Sequence, residues 1–166
     1  IYVNDTLRVA LQDDNISEAA YGPAYAGESA GLDLYNAGPE CAIPPFCNHR
    51  DDTPVKTLVP TGLRIALPSG TVALLRERGS ITKTPLKLRA GVIDKNFTGE
   101  IFVNLVNLSL KEYKIASGAK LPVQLVVVDC INQFEVVDKT EYSNLTKGSR
   151  RKVGQVGSSD KNALEA

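Results

Sequence analysis

Residues 90–100 concentrate the groups in this chain that could do chemistry. They place one carboxylate, Asp94, after the apolar pair Val92 and Ile93 and ahead of a turn that Gly99 closes. An aromatic ring, Phe97, follows the acid by three residues. Val92 and Ile93 read as the end of a buried strand, and Asn96 and Gly99 tolerate turn geometry. A hairpin of this kind offers backbone N–H and C=O groups beside a fixed carboxylate. Main-chain groups can read a flat polar ring, and a carboxylate can draw a proton from an attacking water. Taken alone, an ordinary hairpin with a solvated turn acid is the commoner arrangement.

Other stretches change that balance. Ala30-Gly31-Leu32-Asp33-Leu34-Tyr35 comes first, and a strand pair over 58–63 and 65–70 follows. Next come Arg78-Gly79-Ser80, a segment from Gly118 to Gln124-Leu125-Val126, and a glycine-rich run over 151–159. Together with residues 90–100, and in this order, they resemble the five signature motifs of the trimeric dUTPase family. The resemblance runs from about residue 26 to 159. Three motifs depart from the family pattern. The family reads Pro-Arg-Ser where this chain reads Glu77-Arg78-Gly79-Ser80. The fourth motif lacks the acidic and arginine pair and is one residue long, which a β-bulge can absorb. In the fifth, Lys152 replaces a glycine and Val156 replaces a phenylalanine.

The resemblance implies a jelly-roll-like, all-β homotrimer with shared active sites that hydrolyses dUTP to dUMP and pyrophosphate with Mg²⁺. By the same likeness Asp94 is the base that activates water. Ala90, Gly91 and Ile93 supply the backbone that reads uracil, and cytosine, with donor and acceptor exchanged, would leave buried groups unpaired. Phe97 lies under the deoxyribose and leaves no room for a 2′-hydroxyl. Asp33 meets Mg²⁺ through water, since that ion keeps several waters and takes one or two carboxylates plus phosphates. Arg78 faces phosphate, which a guanidinium suits, helped by Ser80 or the Gly79 N–H. Glu77 beside a triphosphate is repulsive unless Arg76 or Arg78 pairs with it. Gln124 points to phosphate or bound water, or is a satisfied structural amide. Arg151 clamps the γ-phosphate, Val156 covers uracil, and Gly157 and Ser158 belong to a backbone cradle. Two rivals stay open: a dUTPase-like binding or regulatory protein that has lost catalysis, and a dCTP deaminase. The latter needs a glutamate in a strand context that Glu100 does not match.

The elements that must position these groups read as strands. β-rich runs recur at 71–75, 101–108, 121–129 and 134–137 between Gly, Pro, Asn and Asp clusters, the mark of an all-β sandwich or barrel. One short helix is expected, at no assignable place. The domain spans 1–142, with a loop insertion at about 46–56, and a flexible glycine-rich arm carrying the fifth motif runs over 143–166. A chain of 166 residues can bury its own core. Nineteen basic against nineteen acidic residues argue against a broad nucleic-acid or membrane-binding face. No apolar run approaches the roughly 20 residues that span a bilayer, and no signal pattern opens the chain. Three cysteines make no disulfide framework, and Cys41, Cys47 and His49 match no common zinc spacing. These features fit a soluble, intracellular protein in a reducing compartment.

Overall fold

Short β-prone runs broken by Gly, Pro and Asn yield short strands, and eleven are present among the described residues: 7–11, 25, 28–46, 57–131 and 133–148 of this computed structural model. In chain order they are β1 (Arg8–Leu11), β2 (Leu32–Tyr35), β3 (Cys41–Ile43), β4 (Thr57–Pro60), β5 (Leu63–Ala66) and β6 (Thr71–Glu77). Then come β7 (Leu86–Arg89), β8 (Val92–Ile93), β9 (Phe102–Asn107), β10 (Tyr113–Ile115) and β11 (Lys120–Asp129). The strand expectations at 71–75, 101–108 and 121–129 correspond to β6, β9 and β11. By its contacts the chain divides into two units, Ile1–Cys130 and Ile131–Ala166, and every strand lies in the first.

Two sheets dominate that unit. One has the order β2-β11-β6-β8 and the other β4-β9-β7, with two smaller pairs, β1-β5 and β10-β3. All named pairings are antiparallel. Burial alternates as pleating requires: in β5, Leu63 and Ile65 are buried while Arg64 and Ala66 face out. Both larger sheets feed one core, in which Leu34, Leu121, Val123 and Leu125 meet Val59, Val103 and Leu105. Each such side chain stabilises the fold by about 1.5–3 kcal/mol relative to exposure. No helix among the described residues is long and apolar enough to cross a membrane, which says nothing of strands.

Buried amides close the loops around this core. Asn36 Nδ2 donates to the carbonyls of Pro39 and Ala116 at 2.8 and 3.1 Å, while its Oδ1 accepts from the Gly38 N–H. Asn107 Nδ2 donates to the Ile43 and Lys111 carbonyls at 3.0 and 2.7 Å. Asn104 differs. It lies between Leu58 and Arg89 in the β4-β9-β7 register, and its buried Oδ1 has no hydrogen-bond partner among the described residues. Leu58 and Phe102, near it on the same face, are exposed.

The second unit corrects one expectation. Residues 134–137 form no strand; Phe134 and Val136 are about nine-tenths exposed, at 91% and 88%. β-prone residues make a strand only when a neighbour supplies the ladder. The one α-helix among the described residues, α1 (Lys139–Leu145), follows instead, and the expected arm boundary at 143 falls inside it. Asp138 caps it by accepting from the N–H groups of Thr140 and Glu141, both at 2.8 Å.

Asn107→Ala strips donors from two carbonyls. It should lower stability by roughly 2–3 kcal/mol, the cost of stranding buried acceptors. Chemical denaturation at fixed protein concentration measures this, and a change under about 0.5 kcal/mol would mean that water replaces the amide.

Candidate functional site

The first, second and fourth motifs converge on one row across the four-stranded sheet. Asp33 of β2 faces Gln124 of β11, and Gln124 faces Arg76 of β6. Residues directly opposite in antiparallel strands share a face. Gly31 belongs to the same row for a steric reason: a Cβ there would lie 2.8 Å from Gln124 Oε1 and 3.0 Å from the Leu125 carbonyl oxygen.

Asp33 is 3% exposed. A buried carboxylate persists only when paired and hydrogen-bonded, and both its oxygens are paired. Arg78 Nε lies 2.8 Å from Oδ1 and Lys120 Nζ 2.9 Å from Oδ2. Lys120 also sits over the Tyr35 ring, 5.4 Å from its centroid. The hydrogen bond to Asp33, then that to Tyr35, pushes the ammonium above the usual lysine range. A register shift makes this reach possible. Lys120 pairs with Tyr35 and Gln124 with Asp33, so β11 spends more residues than β2 over the same span, as a bulge does. Lys120 and Tyr35 are absent from the sequence-based set of site residues. Their signals were a cation in the altered fourth motif and the two-residue spacing of Tyr35 from Asp33.

Arg78 directly follows β6 and donates its N–H to the Pro122 carbonyl at 3.0 Å. Gly79 and Ser80 open a 3-10 turn, Gly79–Lys83, and both are exposed. A Cβ at Gly79 would meet nothing within 4 Å. Glu77 pairs with neither of the two arginines that could offset its charge beside a phosphate. Its carboxylate accepts from the Leu88 N–H at 3.1 Å and from Lys87 Nζ at 3.0 Å, while Arg78 is committed to Asp33. The Leu88 N–H first, and Lys87 after it, hold Glu77 below the usual carboxylate range. Its stabilising contribution is therefore present above that range and is lost as pH falls through the lowered value.

The hairpin of residues 90–100 lies on β8. Ala90 adopts φ 60° and Gly91 φ 144°; the first is a left-handed conformation that costs a residue with a Cβ. The Gly91 carbonyl accepts from the Leu75 N–H at 2.7 Å, so that oxygen serves the sheet. A side chain at 91 would press to 2.9 Å from the Leu75 carbonyl oxygen. Val92 is 66% exposed, which corrects its reading as a buried strand end. β8 pairs only over two residues at the margin of the sheet, with Ile93 opposite Ala73. The Phe97 N–H closes a turn on the Asp94 carbonyl at 3.0 Å. Asp94 and Phe97 are both exposed, and the Phe97 ring folds against Gly99, where a Cβ would lie 2.9 Å from Cζ. Ala90 lines a cavity of about 380 Å³ with Leu75, Arg76, Glu77, Lys87 and Leu88.

Asp33 and Asp94 are not brought together within one chain. β2 and β8 are the two margins of the sheet, three strand spacings or roughly 14 Å apart. Asp94 follows Ile93, which is level with Ala73, whereas Arg78 lies five residues further on, just past the end of β6 and roughly 17 Å away along the strand. Arg151, Val156, Gly157 and Ser158 lie outside the described residues, as do Cys47, His49 and residues 47–56. Glu100 accepts from the Gly62 N–H at 2.8 Å and so anchors the β4–β5 turn. Among the described residues no three His, Cys, Asp or Glu side chains gather as a metal site.

Comparison with known proteins bears on the family. The dUTPase family model matches residues 19–159. A deoxyuridine 5′-triphosphate nucleotidohydrolase of Dictyoglomus turgidum is 39% identical over 114 residues, covering 63% of this chain and 71% of that one. One from Hydrogenobaculum is 37% identical over 147 residues, covering 86% and 92%. Among solved structures, a Staphylococcus bacteriophage 80alpha dUTPase variant with dUpNHpp shares the fold at a TM-score of 0.73 and 22% identity, covering 93% of this chain and 98% of that one. A dUTPase variant from phage phi11 of S. aureus, described with a structural Mg(II) ion, does so at 0.66 and 22%, covering 81% and 97%. With a family match that spans most of its length, a shared fold, and motifs gathered as the residues above describe, the chain belongs to the dUTPase family.

Proposed function

We propose that this chain hydrolyses dUTP to dUMP and pyrophosphate in a homotrimer whose active sites are shared between copies. The observation that carries this reading is the separation of Asp94 from the Asp33–Arg78 pair in a single chain. A base acts within hydrogen-bond reach of the attacking water or through one more water, not across a sheet. A second copy therefore brings its hairpin to the row of the first. The orphaned Asn104 Oδ1 beside exposed Leu58 and Phe102 supports coverage by another chain.

In this mechanism Asp94 takes the proton as a water oxygen bonds to the α-phosphorus. The bridging α–β P–O bond breaks and pyrophosphate leaves. Arg78 presents to the phosphates the guanidinium nitrogens that Asp33 does not hold, with the exposed Gly79 N–H or Ser80 beside it. Phe97 packs against the deoxyribose, and the backbone around Ala90 and Ile93 reads uracil. Since the Gly91 carbonyl is used by Leu75, that residue has its N–H left to give. Arg151, Val156, Gly157 and Ser158 close the arm over the nucleotide.

A divalent ion fits this donor set as one carried by the triphosphate, because the oxygens of Asp33 are already paired and no three-ligand cage is present among the described residues. Asp33 would hold Mg²⁺ through water, and the ion would neutralise phosphate charge. The same reading puts the enzyme among the soluble, intracellular enzymes of nucleotide pools. Neither rival gains support: Glu100 is engaged by Gly62, and Asp33, Asp94 and Phe97 are all retained. Incubation with dUTP or dCTP, with Mg²⁺ or chelator, tests all three. Pyrophosphate from dUTP and no ammonia from dCTP is the expected result.

Asp94→Asn keeps shape and removes the proton acceptor, so it should still bind a nonhydrolysable dUTP analogue while turnover drops by roughly 10²–10⁴-fold. Retention of more than about a tenth of turnover would mean that another group is the base.

Sedimentation should give a particle near three times the 17.9 kDa chain mass, and dilution that dissociates it should abolish activity. An active monomer would sink the shared-site arrangement.

Deleting residues 148–166 should leave the trimer intact and remove most of the activity. Val156→Phe should lower KM, since an aromatic ring over a base contributes about 1–3 kcal/mol by stacking and valine recovers only part of that. Unchanged catalysis after the deletion would exclude the arm from the site.

A further inference from the structure

Glu77 stands where the family pattern has proline, and it does something that proline cannot. β7 is the margin of its sheet, paired to β9 alone, so the Leu88 N–H faces away from any ladder partner. The Glu77 carboxylate at the end of β6 accepts that N–H at 3.1 Å and thereby joins the two larger sheets. Two residues after Leu88 comes Ala90 in its left-handed conformation, and the next residue, Gly91, is tied to β6 through the Leu75 N–H. The segment from Leu88 to Gly91 is thus clamped to β6 at both ends, with Ala90 between the clamps on the cavity wall. A strained conformation persists only where its surroundings over-determine it, and these two hydrogen bonds act there beside the ladder pairing of Arg89 with Asn104. The ion pair with Lys87 adds little, because Lys87 is 58% exposed.

We infer that Glu77 is a positioning residue: its carboxylate straps β7 to β6 and so sets the Ala90–Gly91 backbone on which discrimination between pyrimidines depends. This rests on the dUTP reading above. Reading a base with main-chain groups is sensitive to small displacements, since a misplaced donor or acceptor leaves a buried polar group unpaired. A loosened strap should therefore blur recognition more than it slows chemistry.

The test compares Glu77→Ala, Glu77→Asp and Glu77→Gln in the full chain, with kcat and KM for dUTP and dCTP. Glu77→Ala should raise KM for dUTP and lower the dUTP-over-dCTP preference by about tenfold each, the worth of one positioned hydrogen bond, with kcat changed far less. Glu77→Asp, whose carboxylate falls short by one methylene, should shift both the same way and serves if the alanine variant does not fold. Glu77→Gln keeps an oxygen for the Leu88 N–H and should restore the preference. Unchanged KM and preference in the alanine and aspartate variants, a fall in kcat alone, or a glutamine variant as impaired as alanine would each overturn the proposal. Amide exchange at Leu88 and Ala90 in Glu77→Asp gives a readout independent of turnover. If the unaltered protein does not hydrolyse dUTP, the functional reading fails by itself, and unchanged exchange would still overturn the strap.

Discussion

A carboxylate with almost no access to water must be neutralised on both oxygens, and Asp33 is. Arg78 reaches it from the end of β6 and Lys120 from the far side of a bulge in β11. The pairing ties three strands of one sheet together at one point. Removing either cation leaves one oxygen of a buried carboxylate without its partner, which is strongly destabilising. The first, second and fourth motifs are therefore one electrostatic unit. The Arg78 guanidinium is aimed by the same contact that keeps Asp33 paired.

The opposite margin of the sheet is organised by backbone instead of charge. There the positive φ of Ala90, the Leu75–Gly91 hydrogen bond and the fold of Phe97 over Gly99 shape a short hairpin on which Asp94 and Phe97 remain exposed. The two margins use different physics. Buried ion pairing suits the end that would meet phosphate, and rigid main-chain geometry suits the end that would meet a base.

Much of the fold was legible because β6, β9 and β11 are β-prone runs bounded by turn residues, and such runs succeed when a partner strand lies beside them. Residues 134–137 have the same composition without a partner, and composition cannot report that. Asp33 and Gln124 were singled out through motif order, but their meeting in one row with Gly31 depends on strand register and was not legible. Lys120 and Glu77 were not read for what they do, since each depends on a partner fixed by tertiary register. Glu77 lies between two arginines, and local spacing favours them; strand geometry hands it to Lys87 and the Leu88 N–H. Val92 was misread because β8 lies at a margin, where one apolar residue of a pair faces out.

Gly31 is commonly the kind of residue credited with flexibility, yet its role here is depth. The space for a methyl group at 31 is filled by the Gln124 amide and the Leu125 carbonyl. The two obstacles differ in kind. The Gln124 amide is the far end of a flexible side chain and can swing aside, whereas the Leu125 carbonyl belongs to the β11 backbone and can move only with its strand. A side chain at 31 would therefore displace Gln124 from the row it shares with Asp33 and press on the strand that carries Lys120, so a change at this one glycine reaches the fourth motif through packing alone.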